Sequence, residues 1–435
     1  MHAIFCTLLK KSMNEDFLHY VWKFQLLSIH DLKTTTKENL LILKTGIHNY
    51  NSGPDFLNAQ VKIENQLWVG NVEIHLKSSD WYVHNHELDP NYDAVILHVV
   101  WEDDLTVFMR NNAPLPVLIL KDFVFNSAFN NYRNLFSAKQ RWISCENEIH
   151  SVDHFIFENW KERLFFERLE RKSNEMSAIL VANKNDFEAV LFKLLAKNFG
   201  LKVNGEVFLS LANSFDFSIL KRVRSDENKL TALLFGQSGF LEETIEVAYH
   251  QQLKKEFNFL KHKYKLSSIS NNQFSFFRMR PPNFPTIRIA QLISLYHLHQ
   301  GLFSKLIKIQ TLKGFYSFFN VDVNLFWKTH YTFHKTSSFS TKKITKQFVN
   351  LVLINTIVPL KFLYLKGRGE VNEQDFLVFL KKMKPEKNSI ISKFNDLKIN
   401  SRSVLDTQAL LELKNNYCTK KLCLQCAMGN HLLQR

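Results

Sequence analysis

The sequence predicts an α+β, mostly α chain: a small α/β module built on a mixed sheet, followed by a large all-helical region. Three observations predict it. Between residues 40 and 120, apolar residues alternate in short runs separated by Gly, Pro, Asn and Asp. From about residue 150 onward they recur at helical spacing instead. The charge balance changes at the same place: residues 1–150 carry 13 basic and 17 acidic side chains, a net of −4, whereas the remainder carries 43 and 24, a net of +19. A chain of 435 residues also exceeds what one hydrophobic core organises. The expected division is a module over 1–125, a linker over 126–150, a helical body over 151–416 and a Cys-rich tail over 417–435.

Taken in order, an N-terminal helix is expected over Glu15–Leu27. Strands follow at Leu40–Leu43, Leu57–Ile63, Leu67–Lys77 and Ala94–Trp101, with weaker pieces near 105–109 and 116–120. The runs NYNSGPD and HELDPNYD supply the turns between them. In the helical body, Phe155, Trp160, Leu164, Phe165 and Leu169 keep one face, with Lys161, Glu162, Glu167 and Arg168 lying between them. Further helices are expected at 186–199, 240–264, 287–302, 344–365 and 403–416.

Composition excludes several classes. An apolar content of 45% argues against global disorder, and 12 Gly with 9 Pro exclude collagen-like or low-complexity architecture. No run of about 18 uninterrupted apolar residues appears, so no membrane span is expected. The N-terminal run MHAIFCTLLKKSMNEDF carries its basic pair after the apolar stretch and lacks a small-residue cleavage site, so the expected compartment is cytoplasmic.

The densest chemistry lies between Asn49 and His98. In WVGNVEIHLKSSDW, Val72, Ile74 and Leu76 share one strand face, and Glu73, His75 and Lys77 share the other. Gly53-Pro54-Asp55 forms a turn just before the strand Leu57–Ile63, and a hairpin through Glu64-Asn65-Gln66 returns the chain antiparallel. Asp55 is thereby brought within reach of Glu73. Two carboxylates so placed suit a hard divalent cation, Mg²⁺ or Mn²⁺. A neighbouring His75 or Lys77 would handle a water or the charge developing on phosphate oxygens.

Pro54-Asp55 and Glu73-Ile74-His75 resemble the motif of the PD-(D/E)XK restriction-endonuclease-like fold. The resemblance implies a helix–strand–strand–strand–helix–strand core with Asp opening the second strand and Glu-x-Lys on the third. This chain departs at one position, placing His75 where that fold has Lys, with Lys77 one same-face step beyond. Along most of its length the chain also resembles a second family. The segments GPDF, GNVEIHLKSSDW, YDAVILHVVW, LLFGQSGFL and RPPNFPTIRIAQL and the Cys-rich end are similar to the bacterial family catalogued as domain of unknown function 2851. That resemblance implies no biochemical role.

His84-Asn85-His86 followed by acids has the residue types of a Zn²⁺ or Mn²⁺ site. It falls in a polar, turn-rich stretch, however, and ring ligands need rigid support. His98, inside an apolar strand, is expected to line the site or the core. At the other end, Cys418, Cys423 and Cys426 with His431 have spacing suited to a structural Zn²⁺ or three corners of an iron–sulfur cluster, with Cys145 a candidate further ligand. The alternative is a set of buried, reduced thiols.

In the basic body, Arg278, Arg280 and Arg288 lie on a Pro-stiffened loop before a helix, as guanidinium forks gripping phosphate would. Alternatively, Arg288 and Asn283 pin that loop to its neighbour. The leading expectation is a metal-dependent nuclease or phosphodiesterase that contacts a nucleic-acid backbone, with no membrane partner. One alternative is a non-catalytic nucleic-acid-binding or scaffold protein on a degenerate nuclease fold. Another is a hydrolase of a different anionic substrate.

Overall fold

A computed structural model of the chain describes residues 14–136 and 141–435. The N-terminal apolar run read for a secretory signal lies almost wholly outside the described residues. Helix α1 (Glu15–Phe24) carries Glu15 and Asp16 in its first turn and Lys23 in its last, matching the helix dipole. It ends where Gln25 turns left-handed (φ 51°) and its N–H caps the carbonyls of Val21 and Trp22. Phe17, Leu18, Val21 and Trp22 are fully buried. Glu15 and His19, four residues apart and so on one helix face, remain for other work.

The alternating segment folds as a six-stranded mixed sheet of β1 (Leu40–Lys44), β2 (Ile47–His48), β3 (Phe56–Ile63), β4 (Gln66–Lys77), β5 (Val95–Glu102) and β6 (Val117–Ile119). The order is β1-β3-β4-β5-β6, with β2 also pairing β3. β1, β3 and β4 pair antiparallel, whereas β5 and β6 join parallel to β4. Antiparallel β3 and β4 need only the two-residue turn Glu64-Asn65. The parallel step from β4 to β5 needs a crossover, and residues 78–94 supply it, including the short helix α2 (Asp80–Val83). The register slips at Asn58 in β3, whose φ is +57°, and again between Asn71 and Val72 in β4. Both irregularities lie beside Asp55 and Glu73, where a bulge re-aims neighbouring side chains.

The chain divides into two compact units. The first comprises residues 1–161, 388–400 and 410–435; the second comprises 162–387 and 401–409. Within the first, helix α3 (Asn126–Phe136) packs against the terminal helix Ala427–Leu433, and the turn Cys423–Gln425 packs against α1. The Tyr20 hydroxyl, also on α1, donates to the Asn430 carbonyl at 3.3 Å.

The second unit is helical around one apolar core that runs from Phe165 to Leu405. Helices expected at 186–199, 287–302 and 344–365 appear as Phe187–Phe199, Pro285–Leu298 and the continuous span Lys346–Arg368. The one expected over 240–264 begins only at Ala248. Helix Glu227–Gln237 escaped the periodicity reading because residues 230–237 are buried all round, leaving no polar stripe to set a phase. Lys346–Arg368 is long and apolar enough to cross a membrane by length and composition, yet 61% of its apolar window is buried within the protein. Its Leu353–Ile357 stretch widens to a π-turn just before Pro359, which has no N–H to complete the α ladder.

Candidate metal and catalytic centre

Asp55 and Glu73 meet across two backbone N–H groups. The Ile74 N–H donates to Asp55 Oδ2 at 3.0 Å, and the Asp55 N–H donates to Glu73 Oε2 at 3.1 Å. Asn49 holds the turn that delivers Asp55: its backbone N–H donates to the Asp55 carbonyl, and its side-chain amide donates to the carbonyls of Ser52 and Pro54. The turn needs glycine at position 53, where φ is +99°.

Both carboxylates line a cavity of about 400 Å³, together with Glu15, Gly53, His75, His84, His86 and Tyr92. Glu73 is only 5% exposed. Burial, and then the nearby Asp55 carboxylate, raise its acid group to about 9. His19 reaches in from α1, with Nε2 3.2 Å from Asp55 Oδ2. Burial alone would lower this ring's basicity, but the hydrogen bond and charge of Asp55, with Glu15 and Asp16, outweigh it and raise it.

A set of imidazoles surrounds Glu73. His75 Nε2 lies 3.4 Å and His86 Nε2 3.3 Å from Glu73 Oε1. His75 Nε2 is 3.1 Å from His84 Nδ1, and His75 Nδ1 is 2.8 Å from His98 Nε2. Burial, followed by the neighbouring rings, pushes His75 down to about 2. His98 is pushed down to about 3 by burial and then by His86.

The turn-rich stretch carrying His84 and His86 is firmly built, contrary to the expectation that it lacks rigid support. Asp104, from beyond β5, accepts from the Ser79 N–H and from the hydroxyls of Ser78 and Ser79. The Ser78 hydroxyl in turn accepts from the backbone N–H groups of Asp104 and Leu105. Trp81 is buried beneath the turn, and Asn85 (φ +58°) reverses the chain between the two histidines. Tyr92 stacks on His86 with ring centroids 3.7 Å apart.

Of the four residues expected to do chemistry, the fold gathers Asp55, Glu73 and His75. Lys77 is half-exposed and ends in an ion pair with Asp104 at 3.2 Å, away from the cavity-lining set. Glu15 and His19 were missed; their i, i+4 spacing on a helix was the available signal.

The other expected sites are placed as follows. Cys145, Cys423 and Cys426 are buried and Cys418 is half-buried. All four belong to the first unit and are close enough for their charges to interact. Burial first, then that proximity, pushes Cys145 up to about 12. Among the described residues, only His75, His84 and His86 place three such donor atoms within 4.8 Å of one another. His431 lies on the terminal helix, its Nε2 buried without a hydrogen bond.

Arg278 and Arg280 are exposed. Arg288 is not available to phosphate: it is 7% exposed, donates to Asn283 and Gln291, and sits 4.1 Å above the Phe348 ring. The pinning reading of Arg288 therefore replaces the phosphate-gripping one, because Arg288 lies in the first turn of helix Pro285–Leu298 and packs its guanidinium onto Phe348 of the helical span Lys346–Arg368.

A family model described as "Protein of unknown function (DUF2851)" matches residues 15–389. The chain belongs to this family. No curated protein and no solved structure matches it. The DUF2851 match takes in every residue that lines the cavity but stops short of the C-terminal cysteines.

Proposed function

We propose that this DUF2851 protein is a metal-dependent phosphodiesterase acting on nucleic acid. The observation that carries this reading is the reciprocal bonding of Asp55 and Glu73. Two carboxylates, one in the turn entering β3 and one on the adjacent antiparallel β4, are held at one cavity: Glu73 by the Asp55 N–H and Asp55 by the N–H of Ile74, the residue after Glu73. Helix α1, strands β1, β3 and β4, helix α2 and strand β5 also follow the helix–strand–strand–strand–helix–strand order that the PD-(D/E)XK resemblance implies. Asp55 and Glu73 would hold the cation, which would polarise a phosphoryl oxygen and activate a water. The net charge of +19 beyond residue 150 suits a polyanionic substrate.

His75 supports a rival reading. It stands where the resembling fold has lysine, and a ring pushed down to about 2 is neutral, so it supplies no positive charge to a transition state. A non-catalytic nucleic-acid-binding protein on a degenerate nuclease fold would tolerate that loss.

Incubating full-length protein with single- and double-stranded DNA and RNA, in Mg²⁺ or Mn²⁺, separates the two. The proposal expects cleavage that Asp55→Asn and Glu73→Gln abolish while nucleic-acid binding persists. Binding without cleavage under every metal would leave the rival. Equal cleavage by wild type and both variants would remove Asp55 and Glu73 from the chemistry.

A further inference from the structure

We infer that His75, His84 and His86 form a three-histidine site for a transition-metal ion such as Zn²⁺ or Co²⁺. The inference rests on the reading of this cavity as a metal centre and goes beyond it, placing a nitrogen-rich position beside the one held by Asp55 and Glu73.

A tetrahedral ion bonded at roughly 2.0–2.1 Å holds its donors roughly 3.3–3.4 Å apart. The observed separations are 3.4 Å for His75 Nε2 to Glu73 Oε1, 3.3 Å for His86 Nε2 to Glu73 Oε1, and 3.1 Å for His75 Nε2 to His84 Nδ1. All three ring donors lie within 4.8 Å of one another. A pair at this spacing is ordinary hydrogen bonding; three converging ring donors, two of them also beside a buried carboxylate, are not.

His86 Nε2 is buried and makes no hydrogen bond, although it lies 3.3 Å from Glu73. Its ring is 9% exposed, is stacked on Tyr92 and is edge-on to Trp81, so it cannot swing out to find water without breaking both contacts. A buried polar atom fixed in this way calls for a partner. A metal ion held among the three rings supplies one.

Three imidazoles suit Zn²⁺ or Co²⁺ with an open fourth position, whereas Mg²⁺ takes oxygen ligands and retains water. His98 completes the site as a positioning residue. With a metal on His75 Nε2, the His75 Nδ1–H must donate to His98 Nε2, 2.8 Å away, which fixes tautomer and ring plane together.

Cobalt titration of chelator-stripped, full-length protein tests this, since tetrahedral Co²⁺ with nitrogen and oxygen donors absorbs in the visible range. The expectation is one such equivalent. His84→Ala and His86→Ala should weaken it by more than the roughly 10–100-fold that loss of an outer partner costs, and His98→Gln by about that amount. His84 is exposed, so its replacement leaves the core intact. Asp55→Asn should lose cleavage and keep the cobalt spectrum; wild type that binds cobalt but never cleaves would sink the hydrolase reading alone. Cobalt binding unchanged in both histidine variants, or intensity only in the thiolate-to-cobalt charge-transfer region, would assign the metal elsewhere and overturn the inference.

Discussion

At the scale of single residues, the centre sets two proton equilibria against each other. His75 and His98 are pushed down to about 2 and about 3, so both are neutral in the folded protein, while the unfolded chain protonates them near 6.5. The stability they allow is complete above pH 6.5 and is lost as pH falls from there toward 2–3, by about 1.4 kcal/mol per ring at pH 5.5. Glu73 runs the other way. Its group is raised to about 9 from 4.5, so its contribution is full below 4.5 and is lost as pH rises toward 9. In metal-free protein the two trends oppose between pH 7.5 and 5.5. Glu73→Gln removes one of them, so the variant should lose more stability than wild type when acidified across that window. Denaturant midpoints at the two pH values check this; parallel shifts would refute it.

Elements explain why part of the centre was readable in advance and part was not. β3, β4 and β5 show clear apolar alternation or apolar runs, and the Gly53-Pro54-Asp55 turn announces where Asp55 sits. Glu73 and His75 then follow by register. The convergence of His84 and His86 on them was not legible, because it depends on Asn85 turning left-handed and on Asp104 reaching back from beyond β5. The second of these is not a local signal. Lys77 misled for the same reason: alternation placed it on the right face, but the strand ends there and Asp104 takes its ammonium. Asp104→Ala should therefore cost about 1–3 kcal/mol for the lost hydrogen bonds to a charged group. It should also weaken metal binding, although Asp104 is no donor. Calorimetric metal titration alongside thermal unfolding would detect both effects; unchanged affinity in a destabilised variant would show that the turn holds without it.

At the scale of the molecule, the positive charge of the helical region is not one interchangeable surface. Arg288 belongs to the core, whereas Arg278 and Arg280 stand in solvent. If the latter two meet a phosphate backbone, Arg278→Ala and Arg280→Ala should each weaken binding irrespective of sequence and flatten the log–log salt slope by about 1. A slope unchanged in the double variant would place the contact elsewhere.

The first unit also takes in residues 388–400 and 410–435, and α1, which supplies Glu15 and His19, is tied through Tyr20 to the carbonyl of Asn430. A ribosome therefore delivers the start of this unit long before the residues that complete it. During synthesis residues 162–387 of the helical unit emerge before residues 388–400 and 410–435 complete the first unit, and α1 waits for a partner 410 positions behind it. Loss of residues 410–435 would therefore fall on chemistry carried between Glu15 and Tyr92.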